Sequence, residues 1–204
     1  MEKSHKSNEI NSKNKMVYIK VDNLMLVNKK NSLSSSFVPP GLVVPKVKFQ
    51  PGSSSRQMVQ EAATALENLF KAAKENNITL IAVSGYRTYE RQRTIFNNKA
   101  VAVGEVEANK YVAKPGQSEH QTGLAMDILC NEYWTLDSGF ANTKAYKWLE
   151  KNASAYGFII RYLKEKTYIT GYSYEPWHIR YVGVEHATSI KENRWGLEEY
   201  VNGW

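Results

Sequence analysis

Histidine is scarce in this 204-residue chain, and two of its four imidazoles sit where they could hold a metal. His120 lies in Ser118-Glu-His-Gln-Thr-Gly-Leu-Ala-Met-Asp127, a loop running into an apolar stretch. Asp127 follows seven positions later among Leu124, Met126, Ile128 and Leu129. A carboxylate in such surroundings is costly unless it is paired or bound to a cation. His178 closes Tyr174-Glu-Pro-Trp-His178, again just ahead of a strand-like run. Two neutral imidazoles and one carboxylate form a three-ligand zinc set with a fourth position left for water. Glu175, three residues before His178, adds the base that hydrolysis beside a metal requires. Each signal alone has a plainer reading: a histidine satisfied within the fold, or Asp127 paired with Arg161 or Arg180. Their co-occurrence favours the metal. His186, in a charged helical stretch after the last strand, and His5, in the polar N-terminal stretch, stand apart from the set.

The elements that must position these groups follow from periodicity and turn chemistry. Residues 1–15, rich in Lys, Asn and Ser, read as a disordered basic tail or linker, and 16–204 as one domain. Within it, 16–52 form an extended N-terminal arm: Met16–Leu26 alternates as a strand, and Asn31–Phe49 carries Pro39, Pro40, Pro45 and a Ser run. Ser53–Ser55 offers an N-cap for a helix burying Met58, Val59, Ala62, Ala63, Leu66, Leu69 and Phe70 and ending near Glu75. Ile78–Val83 is a buried strand, and Thr88 caps a second helix over Tyr89–Asn97. Strands are expected at Leu124–Leu129, Phe158–Tyr162 and Trp177–Val182, with helices over Thr143–Tyr156 and Glu185–Glu192. Helices and strands alternate irregularly, with connections too short for repeated parallel crossovers. The class is therefore α+β, with a small, mostly antiparallel sheet flanked by helices and the zinc site at its cleft. Tyr168, Tyr172, Tyr174, Trp177 and Tyr181 read as a half-buried strand pair lining that cleft.

Composition narrows the setting. Cys130 is the only cysteine, which excludes an internal disulfide and a Cys-rich zinc site. The net charge of +7 owes much to Lys3, Lys6, Lys13, Lys15, Lys20, Lys29 and Lys30 in the first thirty residues. Such charge attracts any anionic partner. The remaining Lys and Arg form no stripe on one ordered element, so nucleic acid is not an expected partner. The most apolar early stretch, Met16 to Val27, is broken by Lys20, Asp22 and Asn23, so it is no signal core.

Three segments carry a resemblance. Ser84-Gly-Tyr-Arg-Thr-Tyr-Glu-Arg-Gln92, Ser118-Glu-His-Gln-Thr-Gly-Leu-Ala-Met-Asp127 and Glu175-Pro-Trp-His178 resemble those of the VanY-type D-alanyl-D-alanine carboxypeptidases, which fall in the wider lysostaphin and hedgehog zinc group. The similarity spans roughly residues 78–185, with a weaker echo at Leu26-Val-Asn-Lys29. It implies one Zn2+ per chain on His120, Asp127 and His178, and Glu175 as general base and then acid. It implies that Arg87 steadies the scissile carbonyl oxygen or the substrate's own carboxylate. Ser118 and Gln92 look like contacts to the terminal residue, and Tyr162 and Trp177 like pocket walls.

The implied activity is removal of the C-terminal D-alanine from a peptidoglycan stem peptide, with D,D- or L,D-specificity. The alternatives are an endopeptidase of the same group and a non-catalytic zinc-bearing wall-binding module. Wall peptides lie outside the cytoplasmic membrane, so the resemblance implies an extracellular or cell-surface location. Membrane contact is expected only through an N-terminal anchor removed ahead of this sequence.

Overall fold

A computed structural model describes residues 21–203. The basic stretch 1–15 and the first part of the strand expected over Met16–Leu26 lie outside them. Residues 21–26 form a turn instead of a strand, because Asp22 bonds its own neighbours: its carboxylate accepts from the Leu24 N–H at 2.9 Å and its carbonyl from Met25 N–H.

The arm then runs over the surface and forms β1 (Leu42–Val43), which pairs antiparallel with β2 (Met58–Val59). Met58 and Val59 are thus strand residues, not the first turn of a helix. Their backbone is claimed elsewhere: Val59 N–H donates to the Gly123 carbonyl and Gln60 N–H to that of Gly41. Helix α1 (Gln60–Glu75) starts only there, with no side-chain cap from Ser53–Ser55, and buries Ala62, Ala63, Leu66, Leu69 and Ala73. Strand β3 (Leu80–Ser84) and helix α2 (Tyr89–Val103) follow, and Thr88 Oγ1 caps α2 by accepting from Arg91 N–H at 3.1 Å. α2 continues well past Asn97, and α3 (Glu105–Tyr111) follows the break at Gly104. Neither has an apolar stripe to read: α2 buries only Gln92 and Phe96, while Val101 and Val106 face solvent.

A single turn of 3₁₀ helix over Glu119–Thr122 leads into β4 (Ala125–Cys130). Then come α4 (Lys144–Asn152), a further 3₁₀ turn over Ala153–Tyr156, and β5 (Phe158–Tyr162). Short α5 (Thr167–Thr170), β6 (Glu175–Tyr181), α6 (Val184–Glu192) and α7 (Leu197–Asn202) complete the described chain.

The main sheet has the order β3-β4-β6-β5 with every pair antiparallel, so the α+β class is confirmed. Alternation along the strands divides the sheet in two. One face carries Ala82, Met126, Ile128, Ile179 and Phe158 into a cluster with Leu66 and Leu69 of α1 and Leu149 of α4. The other carries Asp127, His178 and Arg180. The arm covers the middle of the outer edge of β3, where Ala82 N–H donates to the Lys48 carbonyl and Gln50 N–H to that of Ala82. Among the described residues, no helix is long and apolar enough to cross a membrane.

Candidate metal centre and catalytic cavity

Strand register brings two of the three expected ligands together. Asp127 on β4 lies directly across from His178 on β6, and Ser84 on β3 lies across from Asp127 on its other side. His120 arrives from the 3₁₀ turn, which ends at Gly123 in the left-handed region (φ 70°). This loop is tied to the one after β3 twice: Arg87 N–H donates to the His120 carbonyl, and His120 Nδ1 lies 2.8 Å from the Gly85 carbonyl. Gly85 lets the loop after β3 pack against the segment before β2, since a Cβ there would fall 2.4 Å from the Gln57 carbonyl oxygen.

The donor atoms converge. Asp127 Oδ2 is 3.3 Å from His120 Nε2, and Asp127 Oδ1 is 3.0 Å from His178 Nδ1. All three ligand atoms lie within 4.8 Å of one another, and all three residues are buried. Two imidazoles and a carboxylate are a donor set that fits Zn2+ in chemistry, and a tetrahedral site with bonds near 2.0–2.1 Å would need these atoms to draw together to about 3.3 Å. The Gly85 carbonyl can only accept, so His120 Nδ1 carries the hydrogen and Nε2 offers its lone pair to the centre.

The surrounding charges are strongly perturbed. Burial pushes the Asp127 carboxyl up, but His120 and His178 outweigh it and hold it well below the usual carboxylate range. Burial lowers His178, yet its bonds to Asp127 and Glu119 lift it to about 9. Burial and the nearby Arg87 guanidinium lower His120. Glu175 rises to about 8: burial dominates and the Asp127 charge adds to it, against His178 and Arg87. A carboxyl poised near neutrality is suited to both taking and returning a proton.

Glu175 reaches the site through an irregularity. β5 and β6 pair in register as far as Ile160 opposite Ile179, then slip so that Tyr162 faces Glu175. Pro176 has no N–H to give to the ladder at this point, and such a slip re-aims the adjacent side chains. Glu175, Arg87 and the three metal-site residues line one cavity of about 220 Å³, together with Ser118, Gln92, Tyr162 and Trp177. The structure therefore gathers every residue expected at the site.

Their engagements differ from those expected. Gln92 is buried with both amide ends in use: Oε1 accepts from Arg87 Nη1 at 2.7 Å, and Nε2 donates to the Ala113 carbonyl at 2.7 Å. It holds Arg87, whose Nη2 also donates to Ser84 Oγ at 3.1 Å and lies 3.9 Å from Asp127 Oδ2. Tyr162 stacks at a tilt on His178, ring centroids 5.0 Å apart. The aromatic set does not form a strand pair. Tyr168 is exposed on α5 and Tyr174 precedes β6, while Tyr172 and Trp177 reach the cavity. His186 bonds Tyr200 away from the centre.

Arg161 and Arg180 do not pair with Asp127. Both bind Glu119, a residue the sequence reading passed over: Oε1 accepts from Arg161 Nε at 2.7 Å and Arg180 Nη1 at 2.9 Å. Arg161 also grips both oxygens of Glu198, at 2.7 and 2.8 Å. The available signal was two arginines set in apolar strand runs, Ile159-Ile160-Arg161 and Ile179-Arg180, which require buried partners. The echo at Leu26–Lys29 falls on bracing residues. Asn28 Nδ2 donates to Glu198, and Lys29 Nζ donates to the Asn109 and Gly171 carbonyls, 4.5 Å from the centroid of the Tyr172 ring.

Comparison with known proteins matches residues 55–184 to the VanY family model, described as D-alanyl-D-alanine carboxypeptidase. The YodJ protein of Bacillus subtilis (strain 168) is 49% identical over 180 residues, which is 87% of this chain. The chain spans 66% of that relative's length, just under two thirds. The solved structure of the LdcB LD-carboxypeptidase, described in terms of peptidoglycan recognition, superposes with a TM-score of 0.82 at 48% identity, covering 87% of this chain and 84% of that one. A mutant of the vancomycin-resistance D,D-pentapeptidase VanY, solved in complex with Zn(II), gives 0.74 at 36% identity over 88% and 99%.

Proposed function

Because the chain belongs to the VanY family of D-alanyl-D-alanine carboxypeptidases, we propose that it is a zinc-dependent carboxypeptidase that removes the C-terminal D-alanine of peptidoglycan stem peptides. The observation that carries this reading is the convergence of His120, Asp127 and His178 with Glu175 and Arg87 around one cavity. Zn2+ on the three ligands would supply Lewis acidity toward the scissile amide and acidify a water.

The chain's own groups would do the rest. Glu175 takes the proton of the attacking water and returns it to the leaving amine. Arg87, fixed by Gln92 and Ser84, presents its guanidinium either to the oxygen that gains charge or to the terminal carboxylate. Ser118, Tyr162 and Trp177 line the same cavity and would contact the substrate's terminal residue. By the location of such a substrate, the protein would act at the bacterial cell surface, and fractionation of the native host tests that placement.

Synthetic tetrapeptide and pentapeptide stems, each as free acid and as C-terminal amide, form the test, with products read by mass spectrometry. Release of a single D-alanine is expected, from the pentapeptide for D,D- and from the tetrapeptide for L,D-specificity. Loss of a charge-assisted bond to the terminal carboxylate should slow the amides roughly ten- to a hundredfold. Equal rates on acid and amide, or cleavage only inside the peptide, would replace the carboxypeptidase with an endopeptidase.

A further inference from the structure

We infer that Glu119 is a positioning residue of the metal centre, holding His178 so that Nδ1 faces His120 and Asp127. The inference rests on the zinc reading above. It starts from the two ends of one imidazole: Nδ1 lies 3.0 Å from Asp127 Oδ1, and Nε2 lies 3.4 Å from Glu119 Oε2. An imidazole that ligates through one nitrogen is oriented by what the other nitrogen donates to. His120 follows the same rule in the opposite sense, with Nδ1 on the Gly85 carbonyl and Nε2 toward the centre.

Glu119 is built for this task. Its side chain is fully buried, and two guanidiniums, from Arg161 and Arg180, fall on the same oxygen, Oε1. That leaves Oε2 turned to His178. The guanidiniums are themselves fixed. Arg161 is clamped by Glu198, and Arg180 donates to the backbone carbonyls of Asn23, Met25 and Tyr181. A carboxylate held this firmly sets both the ring plane and the hydrogen-bearing nitrogen of His178. Because it is anionic, it also makes the ligating nitrogen a stronger donor than a carbonyl partner would.

The first measurement needs no variant. Long-range 1H–15N spectra of the histidine-labelled, zinc-loaded chain should show His178 bound through Nδ1 with a hydrogen on Nε2, and His120 the reverse. His178 bound through Nε2 overturns the inference, whatever any variant does. The second measurement is chelator competition for zinc. Glu119→Gln, which keeps the shape and removes the charge, should weaken zinc binding roughly ten- to a hundredfold. Glu198→Gln, one step further out, should lower the melting temperature without changing zinc affinity, which separates positioning from general loss of stability. Equal zinc affinity in wild type and Glu119→Gln overturns this inference alone. A wild-type chain that takes up no zinc overturns the zinc reading as well.

Discussion

Replacing Gln92 by Leu should weaken the fold and the catalytic site together, because this side chain bridges Arg87 to the backbone of Ala113. The swap nearly conserves volume, so its effect is mostly polar. One bond lost is charge-assisted, from Arg87 Nη1 at 2.7 Å, and the other joins Nε2 to the Ala113 carbonyl at 2.7 Å. The first is worth about 1.5–3 kcal/mol, and a buried carbonyl deprived of its donor adds about 1–3 kcal/mol. The bond to Ser84 Oγ survives and keeps part of the guanidinium in place, so a total of about 3–4 kcal/mol is reasonable. At about 2–4 °C per kcal/mol for a domain of this size, the melting temperature should fall by about 6–16 °C. Calorimetry of the zinc-loaded variant measures this, and kcat/KM on a stem peptide should drop at least tenfold as Arg87 is released. A melting temperature within about 2 °C of wild type would refute the bridging argument. Lost activity at unchanged stability would restore Gln92 to a direct substrate contact.

Three further outcomes are expected. Glu175→Gln should retain zinc and fold while losing about 10²–10⁴-fold in turnover, and near-normal turnover would assign the base elsewhere. Chelation should abolish hydrolysis and stoichiometric zinc should restore it, whereas full activity in metal-free protein would sink the metal assignment. Acid should destabilise wild type more than Glu198→Gln. Burial raises the Glu198 carboxyl but Arg161 outweighs it and holds it below its ordinary value, so its contribution is complete above the unfolded value near 4.3 and fades as pH falls through the folded one. Parallel melting curves for the two proteins between pH 6 and 3 would contradict this.

Much of the centre was legible because its residues carry their own punctuation. His120 and Asp127 frame a Gly that only a tight turn explains, and Glu175 precedes a Pro that breaks a ladder. The strands were legible for the same reason: Leu80–Ser84, Ala125–Cys130 and Phe158–Tyr162 are short apolar runs with turn residues at their ends. What escaped was set by long-range partners. Met58 and Val59 have helical spacing to Ala62 and Leu66, yet their backbone pairs with Val43 and Leu42 of the upstream arm. Gln92 sits on the second helix like any surface polar residue, and only the fold brings Ala113 to its amide. The extension to Val103 had no apolar stripe to announce it, since that helix buries only Gln92 and Phe96 and gives the cavity wall Gln92 and Ile95, all within its first half.

The alternative that the sequence left open for Asp127 also shows how charge is shared out in the finished site. A pairing with Arg161 or Arg180 would satisfy a buried carboxylate and leave no role for a metal. Both guanidiniums are engaged elsewhere: Arg161 on Glu119 and Glu198, and Arg180 on Glu119 and three carbonyls. Of the arginines around the site only Arg87 approaches Asp127, and at 3.9 Å it is outside hydrogen-bond range. Asp127 therefore keeps its full charge facing two imidazole nitrogens at 3.0 and 3.3 Å. The arginine–glutamate network thus does more than brace the sheet: by occupying the competing cations, it leaves the Asp127 carboxylate turned to the two imidazoles, the arrangement that a cation ligand requires.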